Sequence, residues 1–495
     1  MKNRGVLIIS LLVTVLVSLL LIGKTNSAEQ GPKEILIGIN APLTGMHAGF
    51  GEGNVYGEKA AIQDINKQGG IFIKEYGRKI PVRSIVVDNQ SDPRKAGVLE
   101  EELILKHRVH FLSPPNQPIP LAIPEAIAAE RFKKVRVSGG TPEEPWLAVR
   151  NESSPKWDHS WTYTLAIAAP APKGSVVDKP GYTCMDSWLK VLKDYGGQTN
   201  KQLGVFASDE PDGRGWYEVI PKVLKDQGLV PHVEDNLGLF SLDTTDFTAM
   251  IQKWQRLNIE VVWGNAPAPL FGTMWRQCRT MGFKPKLVIA TRAGLYYEDV
   301  SAWGGDLPVG ISGEAWWSPA FDGKVCKGIG GTTPMSLFQR WQKDTKRPLN
   351  PGIGWGYNGI QILANAIERA SSLDTEKVNE ALSKTDMATI SSPRVMFDQN
   401  HSARLPIFFS QWQKVDKPWK WECKVVISQL DFLKEEAKLL FPIPYKEGKR
   451  SVGRGARPRG LTGLAMLVGG TWAPGESVPL RHWEADVPRP MIRKG

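Results

Sequence analysis

Cysteine and histidine are scarce in this chain of 495 residues, which holds four of the first and seven of the second. The cysteines, Cys184, Cys278, Cys326 and Cys423, stand far apart and form no C-x-x-C pair, which removes the usual thiolate-metal and dithiol motifs. In an oxidising compartment they permit one or two disulfides in three connectivities, and buried free thiols fit the spacing equally well. Of the scattered histidines only His107 and His110 fall close together, and nearby acids alone do not turn such a pair into a metal site. The reading is therefore no metal and no cofactor. Nucleotide-binding signatures are missing too. Gly49-x-Gly51-x-Gly53 lies between a strand and a helix, but Asn54 occupies the last glycine position of a dinucleotide fingerprint, and there is no Walker pattern. No G-x-S-x-G elbow and no nucleophile with an adjacent base stand out, so catalysis has no positive support.

A strongly basic core is also absent, although the net charge is +11. Residues 1–24 contribute +3 and residues 449–495 contribute +6, leaving +2 for residues 25–448. A near-neutral body offers no footprint for a phosphate backbone, and nucleic acid is set aside as a partner. The basic start has its own meaning. Lys2 and Arg4 precede a charge-free run from Val6 to Ile22, and small or polar residues follow up to Ala28. This is the pattern of a signal peptide over residues 1–28, cleaved to leave Glu29 first. Left uncleaved, the same run is close to the ~18-residue lower limit for a membrane anchor. No cysteine follows it to carry a lipid.

From Glu34 onward a short β-branched run, a turn and an amphipathic helix recur. Ile35–Ile39 is a strand; a glycine-rich loop leads to a helix from about Asn54 to Lys67, closed by Gly69-Gly70. After the strand Ile80–Val87, Asp92-Pro93 supplies an N-cap and a first-turn proline for the next helix. Strands at 109–112 and 135–138 flank a helix at 123–131. The alternation breaks over 142–182, rich in Pro, Ser and Trp, and resumes from Leu203 to Ala290. Such alternation predicts doubly wound parallel sheets, and two blocks of it predict two lobes. The segment 449–495, rich in Gly, Arg and Pro, lacks the pattern of a buried core and reads as disordered.

Several strings resemble one family. Ile37-Gly38-Ile39-Asn40-Ala41-Pro42-Leu43-Thr44-Gly45, Gly57-Glu58-Lys59-Ala60-Ala61, Asp64-Ile65-Asn66-Lys67-Gln68-Gly69-Gly70, Asp88-Asn89-Gln90-Ser91-Asp92-Pro93, Thr244-Thr245-Asp246-Phe247 and Met281-Gly282-Phe283 resemble the branched-chain amino-acid (leucine/isoleucine/valine) binding proteins of ABC transporters. The resemblance spans about 34–440. It implies an α/β, type I periplasmic-binding-protein fold: two doubly wound parallel-sheet lobes joined by three crossovers, with lobe 1 at 34–157 plus 291–393 and lobe 2 at 158–290 plus 394–445. It also implies a periplasmic location, permease subunits in the inner membrane as partners, and a small carboxylate or amino-acid-like ligand held by hinge closure. A ligand-sensing receptor of the same fold, or less readily an exported enzyme, is the alternative.

On that alignment, ligand contacts in lobe 1 come from Asn116 and Gln117, where the family has a short Ser/Thr run, and from Gly140 and Thr141. Lobe 2 contributes Asp212, where the family often has an aromatic residue, and Asn265. Arg292 stands where amino-acid binders carry the acid that pairs with the ligand ammonium; a bare guanidinium there would favour an anion. A one-residue slip in the alignment would instead make it a solvated charge. Of the 18 tryptophans, Trp216, Trp263, Trp275, Trp303, Trp316 and Trp317 fall near the inferred cleft or hinge. Most are expected in the core, with Trp316 or Trp317 on the cleft, suiting an apolar or aromatic ligand body.

Overall fold

A computed structural model describes residues 31–232 and 238–445; the expected signal peptide and the 449–495 segment lie outside them. Two sheets organise the chain. The first is wholly parallel, in the spatial order Ser402–Arg404, Ser160–Leu165, Arg136–Pro142, Phe111–Leu112, Ile35–Ala41, Val82–Asp88. The second runs Leu239–Phe240, Gln202–Ser208, Val261–Asn265, Leu287–Thr291, Ile311–Ala315, Phe408–Lys414, Trp421–Ile427, with Val230–His232 beside Gln202–Ser208. Its last two strands pair antiparallel. Helices cover both faces of the parallel strands, which explains why these strands are buried continuously instead of alternately: Ile37, Gly38, Ile39, Asn40 and Ala41 are consecutive and all buried.

The polypeptide passes between the sheets three times: after Leu165, after Ala315 and after Arg404. The sequence boundaries at 157/158, 290/291 and 393/394 each fall too early. Ser160–Leu165 belongs to the first sheet and Ile311–Ala315 to the second, the reverse of their expected lobes, and Ser402–Arg404 returns to the first sheet before the last crossing. The Pro- and Trp-rich stretch that interrupts the pattern conceals a helix, Glu143–Glu152, and the strand Ser160–Leu165, whose Ser-Trp-Thr-Tyr-Thr-Leu lacks an aliphatic run.

The glycine-rich segment read as a loop is helical: the first helix is Gly49–Lys67, beginning five residues before Asn54. Its glycines serve close approach. A Cβ on Gly57 would overlap the Ile353 carbonyl, and one on Gly356 would overlap that of Asn54. The helix therefore packs backbone to backbone on Gly352–Ala370. Asp64 fastens the pair, accepting from Tyr357 (2.8 Å), Thr332 (2.8 Å) and Arg340 (2.8 Å). The predicted cap is present, with Asp92 Oδ1 accepting from the Arg94 and Lys95 amides. All four cysteines are free thiols, Cys423 half-buried and the others buried.

Candidate functional site

Open parallel sheets present ligand sites beyond the carboxyl ends of their strands. Here the two sets of strand ends face each other across a narrow cleft. Seven of the eight residues expected from sequence line it: Asn116, Gln117 and Gly140 from lobe 1, Asp212, Asn265 and Arg292 from lobe 2, and Trp316 on the crossover. Thr141 is the exception, buried behind the wall. Phe50, Leu165, Trp216, Leu295 and Glu314 are among the other residues of the lining.

On the lobe 1 side, Gly140 has φ +72°, and a Cβ there would overlap the Asn116 amide. Glycine thus lets the strand end turn beneath Asn116, as only a residue without a Cβ readily does. Neither polar atom of the Asn116 side chain has a hydrogen-bond partner among the described residues, although the residue is 1% exposed. Gln117 differs. Its amide nitrogen donates to Glu125 and its oxygen accepts from Asn89 (3.3 Å). Glu125 in turn accepts from Arg136 (2.8 Å), and burial pushes its carboxyl up to about 7. Gln117 is a strut between the cleft and this buried network.

Lobe 2 carries the charge. Arg292 follows the strand Leu287–Thr291 with φ +66°, a conformation that non-glycine residues adopt at a cost. Its Nη1 donates to Asp212 Oδ2 (2.7 Å), and its Nη2 donates to Glu210 (2.8 Å) and Ser208 (2.6 Å). Burial raises the Asp212 carboxyl to about 6 against the pull of Arg292. Burial also opposes the Glu210 carboxylate, but Arg292 and the Ser208 hydroxyl outweigh it and hold that group below its ordinary range. Burial, then the Arg292 charge, lowers His47 to about 3, so it is neutral. A bare guanidinium at 292 would favour an anion; with Asp212 and Glu210 already on Arg292, that preference does not follow.

Glu314 was not foreseen. It sits in the strand Ile311–Ala315, 2% exposed, accepts from the Thr291 hydroxyl (3.3 Å) and makes no salt bridge among the described residues. Burial raises its carboxyl to about 7. The available signal was an acid within the apolar run Ile311-Ser312-Gly313-Glu314-Ala315-Trp316. Phe50 escaped notice because it lies in the segment read as a loop.

Trp216 and Trp316 reach the cavity; the other four singled-out tryptophans do not. The Trp216 indole donates to Asp212 Oδ1 (3.0 Å), and its ring packs with Trp188 and Trp263. Trp316 packs on Trp355 with centroids 5.1 Å apart. Trp317 turns away, donating to the Ile390 carbonyl (3.1 Å), while Trp275 and Trp303 flank Phe271 in the lobe 2 core. At the cleft edge Phe50 of lobe 1 meets Tyr296 of lobe 2 edge-on at 4.9 Å. Among the described residues no group of acids, histidines and cysteines is arranged to hold a metal, and no helix is long and apolar enough to cross a membrane.

Comparison with known proteins agrees with this geometry. The Leu/Ile/Val-binding protein homolog 1 of Brucella abortus is 21% identical over 383 residues, covering 77% of this chain and 91% of that protein. A leucine binding protein, LivK, from Thermotoga maritima superposes with a TM-score of 0.61 at 17% identity, covering 80% of this chain and 99% of its own. A solute binding protein of an ABC transporter from Rhodopseudomonas palustris, solved with 3,4-dihydroxy benzoic acid, gives 0.59 at 15% identity, covering 82% and 99%. The periplasmic binding protein family model matches residues 34–417, and the chain belongs to that family.

Proposed function

We propose that this protein is the extracytoplasmic solute-binding component of an ABC importer, which takes a small carboxylate-bearing solute between its lobes by hinge closure and passes it unchanged to permease subunits in the inner membrane. The observation that carries this reading is the inter-lobe cavity, whose buried wall holds polar atoms with no partner: both amide atoms of Asn116, Asn265 Oδ1, Arg292 Nε and Trp316 Nε1, counted among the described residues. Buried polar groups are rarely left unpaired, and a solute that pairs them recovers their desolvation cost.

The Asn116 amide, beside the Pro118-capped start of the helix Ile119–Arg131, suits a carboxylate; the helix end adds a positive field. Phe50, Leu165, Trp216, Leu295 and Trp316 suit an apolar or aromatic body. Leucine and 3,4-dihydroxybenzoic acid, the molecules named with two of the related proteins, share a carboxyl group and an apolar body. The signal-like segment 1–28 supports a periplasmic location.

A thermal-shift screen against amino acids, aromatic acids, dicarboxylates and amides tests the proposal. A ligand that binds only the folded, closed form raises the melting point, by a stabilisation that grows with the logarithm of its concentration over Kd. A shift with at least one carboxylate class is expected; a shift confined to uncharged amides would overturn the carboxylate reading.

A further inference from the structure

Behind the lobe 1 wall two carboxyls share one cation. Glu100 on the helix Pro93–Leu105, Glu125 on the helix Ile119–Arg131 and Arg136 at the start of its strand are all 0% exposed. The two acids are not equivalent. Glu125 accepts from Arg136 Nη2 at 2.8 Å and from the Gln117 amide. Glu100 accepts from the neutral amide of Asn40 at 3.1 Å, and its contact with Arg136 is 3.7 Å, beyond hydrogen-bond length. One guanidinium balances one buried carboxylate; a second negative charge there, sealed from water, would go uncompensated. The site therefore holds a proton, and its place is on the acid with the poorer donors, Glu100. Burial, then the Glu125 charge, drives the Glu100 carboxyl far above its ordinary range, in agreement with this placement.

We propose that this buried pair links solute capture to a proton: protonated Glu100 leaves Glu125 as the charged anchor of Gln117, and a further proton on Glu125 loosens the cleft wall. Ionised Glu125 is a strong acceptor for the Gln117 amide, and Asn89 holds the Gln117 oxygen at 3.3 Å. Gln117 is thus fixed at both ends while it lines the cleft. Protonation turns the first of these bonds into a weaker, neutral one. A wall already in place binds better than one that must be ordered on binding, so the ionised state is the capturing state. Burial sets the change at about 7 for Glu125. The charged groups facing Glu125 are Arg136 and Glu100; Asn40, Asn89 and Gln117 add only neutral amides. Linkage gives the reciprocal effect: capture favours ionised Glu125 and releases a proton near pH 7. The coupling rests on the solute-capture reading above, whereas the shared proton stands without it.

Infrared spectra and urea titrations of the ligand-free full chain at pH 8 test the shared proton. Glu100→Gln should remove a protonated-carboxyl band and keep the wild-type urea midpoint. Glu125→Gln, which strands Arg136, should lower the midpoint. Calorimetric titrations with leucine and with 3,4-dihydroxybenzoate at pH 6 and pH 8 test the coupling. A probe that binds should bind the wild type more tightly at pH 8. Glu125→Gln should shrink the ratio of the two affinities about fivefold, the effect of one proton whose pKa falls by about one unit on capture. Gln117→Met, which keeps Glu125, should shrink it equally, and it serves alone if Glu125→Gln does not fold. A wild-type ratio in these variants would overturn the coupling and leave capture intact. A band that survives Glu100→Gln, with a lowered midpoint, would overturn the shared proton. Failure of both probes to bind the wild type at either pH would count against capture and coupling together, with the infrared band still deciding the shared proton.

Discussion

Arg292 and Asp212, eighty positions apart in sequence, meet at 2.7 Å with both side chains almost sealed from water. Removing one member of such a pair leaves an uncompensated buried charge, which costs about 3–5 kcal/mol. Arg292→Met should therefore lower the unfolding free energy of ligand-free protein by about that amount in urea titration. Asp212→Asn should cost less, because Glu210 still holds the guanidinium. Equal stability of Arg292→Met and wild type would mean that the cluster does not organise lobe 2.

The acidity of the cleft gives a pH dependence of definite sign. Asp212 and Glu314 ionise at about 6 and about 7 in the folded protein, above the ~4 of an unfolded carboxyl. Folding thus takes up protons at these sites. Their contribution to stability is complete below about pH 4 and is lost as the pH rises through 6 and 7. Melting temperatures of ligand-free protein between pH 5 and 8 should fall more steeply for wild type than for Glu314→Gln. A variant with the wild-type slope would place the titrating group elsewhere.

Gly140 is tied to Asn116 by both its positive φ and the space its missing Cβ leaves. Gly140→Ala should cost about 1–3 kcal/mol in strain and displace the Asn116 amide. Ligand binding should suffer along with the melting point. Unchanged affinity at reduced stability would remove Asn116 from the ligand contacts.

Phe50 meets Tyr296 across the lobes. An edge-on aromatic pair adds about 0.5–1.5 kcal/mol beyond its buried area, a factor of roughly two to twelve in affinity when it forms only on closing. Phe50→Ala should weaken solute binding by about that factor, and small-angle scattering should show a more open average shape at half-saturation.

Much of this cleft could be read from the sequence, because position along a βα unit is encoded in local patterning. Asn116, Gly140, Asn265 and Arg292 each follow or close a strand visible as an apolar run, and parallel sheets put such residues at one edge. What each residue does there was less accessible. Gln117 is taken by Glu125 and Arg292 by Asp212 and Glu210, pairings set by tertiary approach over tens of residues. The lobe boundaries failed for a related reason: Ser160–Leu165 becomes a strand through its neighbours Arg136–Pro142 and Ser402–Arg404, context that overrides a weak local signal. Glycines at 49–57 mark turns in isolation and helix contacts in context.

The backbone-to-backbone seat of Gly49–Lys67 on Gly352–Ala370 has a consequence for biogenesis. Asp64 and Tyr357, which join the two helices, are 293 residues apart. At roughly 5–20 residues per second, a growing chain carries its first helix for about 15 to 60 s before the partner is made. Through that interval the face shaped by Gly53 and Gly57 has nothing to rest on, and lobe 1 cannot close. Substitutions that enlarge those glycines should therefore reduce yield before they affect the behaviour of any molecule that reaches maturity.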